Sequence, residues 1–431
     1  MRPRTSAQAP GPNKLWVEQT LDKAAAKAML ERLFRAGVEA ALPRNVVPYA
    51  VKALACSPTI LLAAGKGAVE MAEAALAAGV LPRAGLTVAR RGQGRPLSGV
   101  EVIEAAHPVP DASSLHAARR MLSLAEGAGA EDHILMLLSG GSSALLCLPG
   151  EGLSLSAKQA ITRALLRSGA PVDQINTIRR HLSAIKGGRL AAAAHPARVT
   201  TLAISDVVGD APEAIGSGPT APDQTVLTEA KAILARYGVP DPGVGWSESV
   251  KPEDARLAGS TYQLIASARL SLDALRAAAR AEGFEPVSLG DDLEGEARNL
   301  GARHAEAVRD YVGRGRRFAL VSGGELTVTM QGEGRGGPNF EYVAALALGL
   351  DGVEGVATLS GDSDGIDGNS GAAGAFAFGD TAARARLAAQ PLEQALAASD
   401  TATAFAALGD VFAPGHTGTN VNDLRIILIS P

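Results

Sequence analysis

Two cysteines, Cys56 and Cys147, are all that this 431-residue chain offers for sulfur chemistry. Neither stands in a CxxC spacing, so neither a disulfide framework nor a thiolate zinc site is expected, and a reducing compartment fits best. Aromatic residues are scarce, at 3%, which leaves core packing to Leu, Val and Ala. There is no excess of basic charge: 41 Lys and Arg stand against 45 Asp and Glu. A broad nucleic-acid-binding surface is therefore not expected, and an anionic ligand would need a local positive pocket. No stretch reaches the roughly 18 uncharged apolar residues of a membrane span. The start, Met1 to Lys14, carries Arg2, Arg4 and three prolines but no apolar signal core. The chain is expected to be soluble and cytoplasmic, with no membrane partner.

What the chain has in quantity is glycine, 49 residues, which marks places where the backbone turns sharply or approaches a neighbour closely. Apolar periodicity predicts a helix over Thr20 to Ala36 and a buried strand at Thr59 to Ala63 that breaks into Gly65, Lys66 and Gly67. Strands follow near Thr87 and Val102, then a helix from Asp111 to Glu126, then the apolar run Ile134 to Leu138 breaking into Ser139, Gly140, Gly141, Ser142 and Ser143. Helices near Ala157 to Arg167 and Gln174 to Ala193 precede a strand at Val199 to Ile204 that ends in Ser205 and Asp206. This rhythm predicts an α/β protein with a Rossmann-like parallel sheet. The Pro- and Gly-rich stretch Gly238 to Asp254 reads as a linker. The expected organisation is thus a domain over 14–240 and a second, smaller α/β domain over 258–431, the latter with strands at Gln263 to Ala266, Phe318 to Val321, Val356 to Leu359 and Leu424 to Leu428.

The chemistry concentrates where strands break into glycine. A strand running into Ser139–Ser143 and a helix presents free backbone N–H groups, which suits a phosphate, and Gly323 and Gly324 repeat the device in the second domain. Lys66, with a glycine on each side, is a flexible cation with an unobstructed reach. It opens neither a Walker A loop nor a dinucleotide fingerprint, since Glu70 stands where the third small residue of the latter belongs. Asp206 and Asp210 end a strand beside Ser217, Gly218, Pro219 and Thr220, and either suits Mg²⁺ or the proton of a substrate hydroxyl. SGDSDGIDG at Ser360 to Gly368 fails as a calcium loop, because Ile366 and Ala373 occupy ligand positions. Arg179, Lys186 and Arg189 mark one predicted helix, with Arg179 and Lys186 two turns apart on a face. His181, His195 and His416 show no metal-ligand spacing.

Taken together, AAGKGAVEMA, HPVPD, LLSGGSSALL, NTIRRHLSAIKGGRLA, SDVVGD with SGPT, SGGELTVT, GEGRGGPNFEY, SGDSDGIDG and HTGTNVNDLRI resemble the class II glycerate kinase family over nearly the whole chain. That resemblance implies a Rossmann-like domain joined to a MOFRL-type domain, transfer of the γ-phosphate of ATP to D-glycerate giving 2-phosphoglycerate, and a divalent metal, Mg²⁺. An older family label is hydroxypyruvate reductase. Lys66 and Arg335 take the catalytic cation roles by the same resemblance. Many relatives read GRGGRNQE where this chain reads GRGGPNFE, with Pro338 in place of the second arginine; Arg179 or Arg189 are the candidates to replace it in binding substrate. The expected partners are small molecules and, compatibly, a second copy of the chain. The competing expectations are a nicotinamide-dependent reductase and a non-catalytic binding relative.

Overall fold

The computed structural model describes residues 22–431. The expected domain start at residue 14 and the first turn of the expected helix at Thr20 lie outside the described residues. The described residues form two compact units, one made of residues 40–267 and 418–421, the other of residues 22–39, 268–417 and 422–431.

The first unit is built on six strands: β1 (Ile60–Ala64), β2 (Ala84–Arg90), β3 (Glu101–Ala105), β4 (His133–Leu138), β5 (Arg198–Ile204) and β6 (Ser260–Ala266). All neighbours are parallel and the order is β3-β2-β1-β4-β5-β6. Alternation sends β1 and β4 side chains to two apolar layers. Ile60, Leu62, Met136 and Leu138 pack with Ala117, Ala118 and Met121 of helix Ala112–Glu126. Leu61, Ala63, Leu135 and Leu137 pack on the other face with Val47 and with Met71 and Ala72 of helix Ala68–Ala77. A sheet covered on both faces has continuous apolar strands, which is why these two runs were legible. Helix 112–126 starts where expected because Asp111 and Ser114 form a capping box: the Ser114 N–H donates to Asp111 Oδ1 at 3.0 Å and the Asp111 N–H donates to Ser114 Oγ at 3.1 Å.

Two expectations need correction here. The stretch 238–254 is part of this unit, with Val239 and Trp246 in an apolar cluster and the Val250 N–H bonded to the Gly187 carbonyl. The strand expected at 263–266 is β6, which pairs with β5 in the first sheet and not with the second domain. Proline and glycine marked irregular backbone correctly, but irregular backbone need not separate domains.

The second unit holds β7 (Glu285–Gly290), β8 (Gly295–Glu296), β9 (Phe318–Gly324), β10 (Leu326–Thr327), β11 (Val356–Asp362), β12 (Gly374–Phe378), β13 (Val411–Phe412) and β14 (Asp423–Ile429). Its main sheet runs β13-β12-β11-β14-β9-β7, antiparallel except for β7 with β9; β8 and β10 form a separate parallel pair. Helix Lys23–Ala40 belongs largely to this unit: Phe34 meets Phe412 edge-on at 4.9 Å. The sequence showed that helix's apolar face but not its partner.

Candidate active site

In an open parallel sheet ligands bind where the strand order reverses, outside the carboxyl ends of the strands. Here that point lies between β1 and β4, the two strands that break into Gly65-Lys66-Gly67 and Ser139-Gly140-Gly141. The two turns interlock. The Lys66 N–H donates to the Gly140 carbonyl at 2.8 Å, and the Gly67 N–H donates to Ser139 Oγ at 3.0 Å. A Cβ on Gly65, whose φ is +136°, would lie 2.1 Å from Ser139 Oγ. Gly65 is therefore fixed as glycine by its neighbour strand, and the Ser139 hydroxyl is used within the protein.

Gly141 takes the left-handed conformation at φ +80°, and a Cβ there would lie 3.1 Å from both Lys66 Cγ and His107 Nε2. The half-buried Lys66 stem and the His107 ring thus flank the second glycine turn. On the side of β5, Asp206 presses its carboxylate onto Gly140: a Cβ on Gly140 would lie 1.7 Å from Asp206 Oδ2. The same oxygen accepts from Asn420 Nδ2 at 3.1 Å. Residues 418–421 return to this unit from the far end of the chain. His107 and Asn420 were not singled out by sequence reasoning; HPVPD and HTGTNVND stood in the resemblance, but nothing in one sequence linked them to Gly141 or Asp206.

Three further expectations change. The helix after the Ser139–Ser143 loop is a single turn, Ser142–Leu145, so it brings no extended helix dipole to the loop. Gln174 to Ala193 is not one helix. It is Val172–His181 and Arg189–Ala193, interrupted where Gly187 and Gly188 turn left-handed and donate to the carbonyls of Ser217 and Gly218. Arg189 spends its guanidinium on the carbonyls of Arg180, Lys186, Ser247 and Glu248, at 2.7 to 3.0 Å, which makes it a brace for this loop. Asp210 sits in a tight turn at φ +57°, its N–H bonded to the Val207 carbonyl. His181 is buried between the Thr177 carbonyl and Glu248.

Among the described residues no group of three or more His, Cys, Asp or Glu side chains could hold a metal. A single carboxylate against a glycine loop fits Mg²⁺, which is commonly held by one or two carboxylates together with substrate phosphates.

Arg179 stays in the first unit, in the last turn of helix Val172–His181, whereas Gly323, Gly324 and Arg335 belong to the second. Gly323 and Gly324 are explained by packing: a Cβ would lie 2.7 Å from Leu272 on the first and 2.1 Å from the Leu293 carbonyl oxygen on the second. Their carbonyls accept from buried Arg425. Arg335 is exposed, with its N–H on Asp400 Oδ1 and Nη2 on the Ser370 carbonyl, both at 2.8 Å. Pro338 opens helix Pro338–Gly349, a first-turn position where proline loses no hydrogen bond.

Behind this loop, Asn339 donates to both Asp367 and Asp423, and Asp367 Oδ2 accepts the Phe340 N–H at 3.1 Å. Burial, then the neighbouring Asp423 carboxyl, pushes Asp367 up to about 7. The folded protein consequently keeps a proton that the unfolded chain releases above about 4. Stability from this group is full below that value and is lost as pH rises toward 7. We expect the urea midpoint to fall over that interval and the Asp367→Asn variant to flatten the fall; an unchanged profile, measured by fluorescence at fixed ionic strength, refutes it.

Comparison with known proteins agrees with this fold. Residues 29–244 match the domain of unknown function DUF4147, and residues 318–423 match the MOFRL family. The chain is 37% identical to D-glycerate 2-kinase of Thermotoga maritima over 95% of this chain and 99% of that one. It is 41% identical to an Agrobacterium vitis protein provisionally named hydroxypyruvate reductase, over 95% and 96%. The crystal structure of glycerate kinase from Thermotoga maritima superposes with a TM-score of 0.87 at 36% identity, covering 94% of this chain and all of that one. With two sheets, two family matches in order and near-complete coverage, the chain belongs to the class II glycerate kinase family, the DUF4147–MOFRL proteins.

Proposed function

We propose that this glycerate kinase uses ATP to phosphorylate D-glycerate at carbon 2 and that Lys66 is its central catalytic cation. The observation that carries this reading is the placement of Lys66. It stands between two glycines at the end of β1, beside the strand-order reversal, with its stem along Gly141 and with Asp206 on the neighbouring turn. Phosphoryl transfer asks the protein mainly for position and for charge that neutralises the migrating group. Lys66 supplies that charge. The half-buried Gly141 and Ser143 would turn their backbone toward nucleotide phosphates, while Asp206, steadied by Asn420, would hold Mg²⁺ or receive the proton of the acceptor hydroxyl. Bound Mg²⁺ would neutralise phosphate charge. Arg335 is a second proposed cation, on the family resemblance of its loop.

Phosphorus NMR of purified protein with ATP, Mg²⁺ and D-glycerate tests this reading: 2-phosphoglycerate is expected, and predominance of 3-phosphoglycerate or no product rejects it. The strand order is one used for dinucleotides, so NADH and hydroxypyruvate belong in a parallel absorbance assay. No oxidation of NADH is expected, because Glu70 fills the position of the third small residue and is held by Arg95 at 3.1 Å.

A further inference from the structure

Beside the catalytic turns the first unit buries positive charge without burying its partner. Lys158 is 5% exposed and Lys186 2% exposed. The Lys158 ammonium donates to the Leu182 carbonyl at 2.7 Å, and that of Lys186 to the Gly216 carbonyl at 2.9 Å. Among the described residues, half-buried Arg179 bonds only the Asn176 side-chain oxygen, at 3.3 Å. Among the described residues no carboxylate reaches any of the three within ion-pair distance. Buried Arg180, one residue away, shows the contrast, since Asp223 answers it at 3.0 Å.

Charge taken out of water without a counter-ion costs several kcal/mol in general, so three cations in one another's field call for an anion. Hydroxyls surround the same place. Ser143 Oγ meets Ser217 Oγ at 2.9 Å, and Ser217 Oγ donates to the Asn176 oxygen that Arg179 also holds, at 3.2 Å. Ser142 Oγ, on a residue 1% exposed, has no hydrogen-bond partner among the described residues. It lies beside Gly216, where a Cβ would come within 2.3 Å of it, and Gly216 is the residue whose carbonyl Lys186 holds. The cluster is thus joined to the Ser139–Ser143 loop, with Arg179 and Ser143 at its accessible rim and the lysines behind.

We propose that Arg179, Lys158 and Lys186, with the hydroxyls of Ser142, Ser143 and Ser217, form an oxyanion subsite that takes the carboxylate of the acceptor. The assignment to the acceptor rests on the kinase reading above; the anion subsite itself does not. Arg179 and the serine pair contact the carboxylate, and the lysines contribute field. Burial, together with the charge of Lys158 and Arg179, holds Lys186 down to about 7 and opposes the smaller effect of Cys147. Burial likewise holds Lys158 down to about 8, with the charges of Arg179 and Arg189 acting in the same direction. An anion that needs these lysines charged must therefore bind with proton uptake, and its affinity must fall as pH rises above about 7.

The test is a thermal-shift titration of wild type, Arg179→Met and Lys186→Met with D-glycerate, sodium sulfate and ATP, at pH 7 and pH 9. Wild type should respond to glycerate and sulfate more weakly at pH 9. Both variants should lose at least about tenfold in apparent affinity for these two anions while keeping their response to ATP. Should Lys186→Met not fold, Arg179→Met at the rim carries the test alone. A wild type that responds to sulfate but neither binds nor turns over glycerate would reject the kinase reading and leave the subsite standing. Unchanged anion affinity in the variants, loss confined to ATP, or no wild-type response to either anion overturns the proposal.

Discussion

Replacing Lys66 with methionine is expected to lower kcat by about 10² to 10³ while leaving the melting temperature within a degree or two of wild type, because one preorganised charge on a transferring group is commonly worth that much. In free energy this is about 3 to 4 kcal/mol of barrier. The fold should tolerate the change. Lys66 fixes its turn through its backbone, with the N–H on the Gly140 carbonyl, and its stem lies against Gly141, where methionine has similar width. KM for ATP should move less than kcat, since a contact that strengthens in the transition state contributes chiefly to kcat. Steady-state kinetics beside a thermal melt checks both halves. Retention of more than about a third of wild-type kcat, under roughly 1 kcal/mol, would remove Lys66 from the catalytic role.

The features legible in the sequence were those carried by local pattern. β1, β4 and β5 announced themselves as apolar runs ending in glycine or aspartate, and the ends of those strands are the candidate site. Convergence was not legible. Asn420 reaches Asp206 across 214 positions of chain, and no periodicity encodes such a meeting. The Lys158–Arg179–Lys186 cluster was half visible. Lys158 stands in register with Ile161 and Leu165, the buried stripe of helix Leu155–Arg167, so the helical period alone could have flagged it. Lys186 was read on a helix face because alanine, leucine and lysine favour helix, whereas Gly187 and Gly188 turn left-handed against the loop at Ser217 and Gly218 and end that possibility. Short strands such as β12 escaped notice because GAFAF is as compatible with a loop as with the pairing that its neighbours β11 and β13 make favourable.

Gly140→Ala should be nearly as damaging as the loss of Lys66, through a different cause. The added methyl would lie 1.7 Å from Oδ2 and 2.3 Å from Cγ of Asp206, so the carboxylate must leave its place. Gly140 is not among the glycines of positive φ, and the three atoms nearest the added methyl all belong to Asp206, so the conflict is with that carboxylate rather than with backbone conformation. Because Asp206 is half-buried, its side chain has somewhere to swing, and the protein should remain folded. A displacement of about 1 Å at a reacting or metal-holding group can cost roughly 10² in rate, and we expect a fall of that order in kcat. Gly67→Ala is the control. Its φ is −100° and the nearest atoms to a new Cβ are 3.6 Å away, so it should retain most activity. The double variant Gly140→Ala with Asp206→Ala separates two explanations. If Gly140 matters because it makes room for the carboxylate, the double variant should be no slower than Asp206→Ala alone, since both changes remove the same thing. Additive losses would instead mean that the methyl also blocks phosphate from the loop backbone, and the assignment of the Gly140 effect to Asp206 would fail.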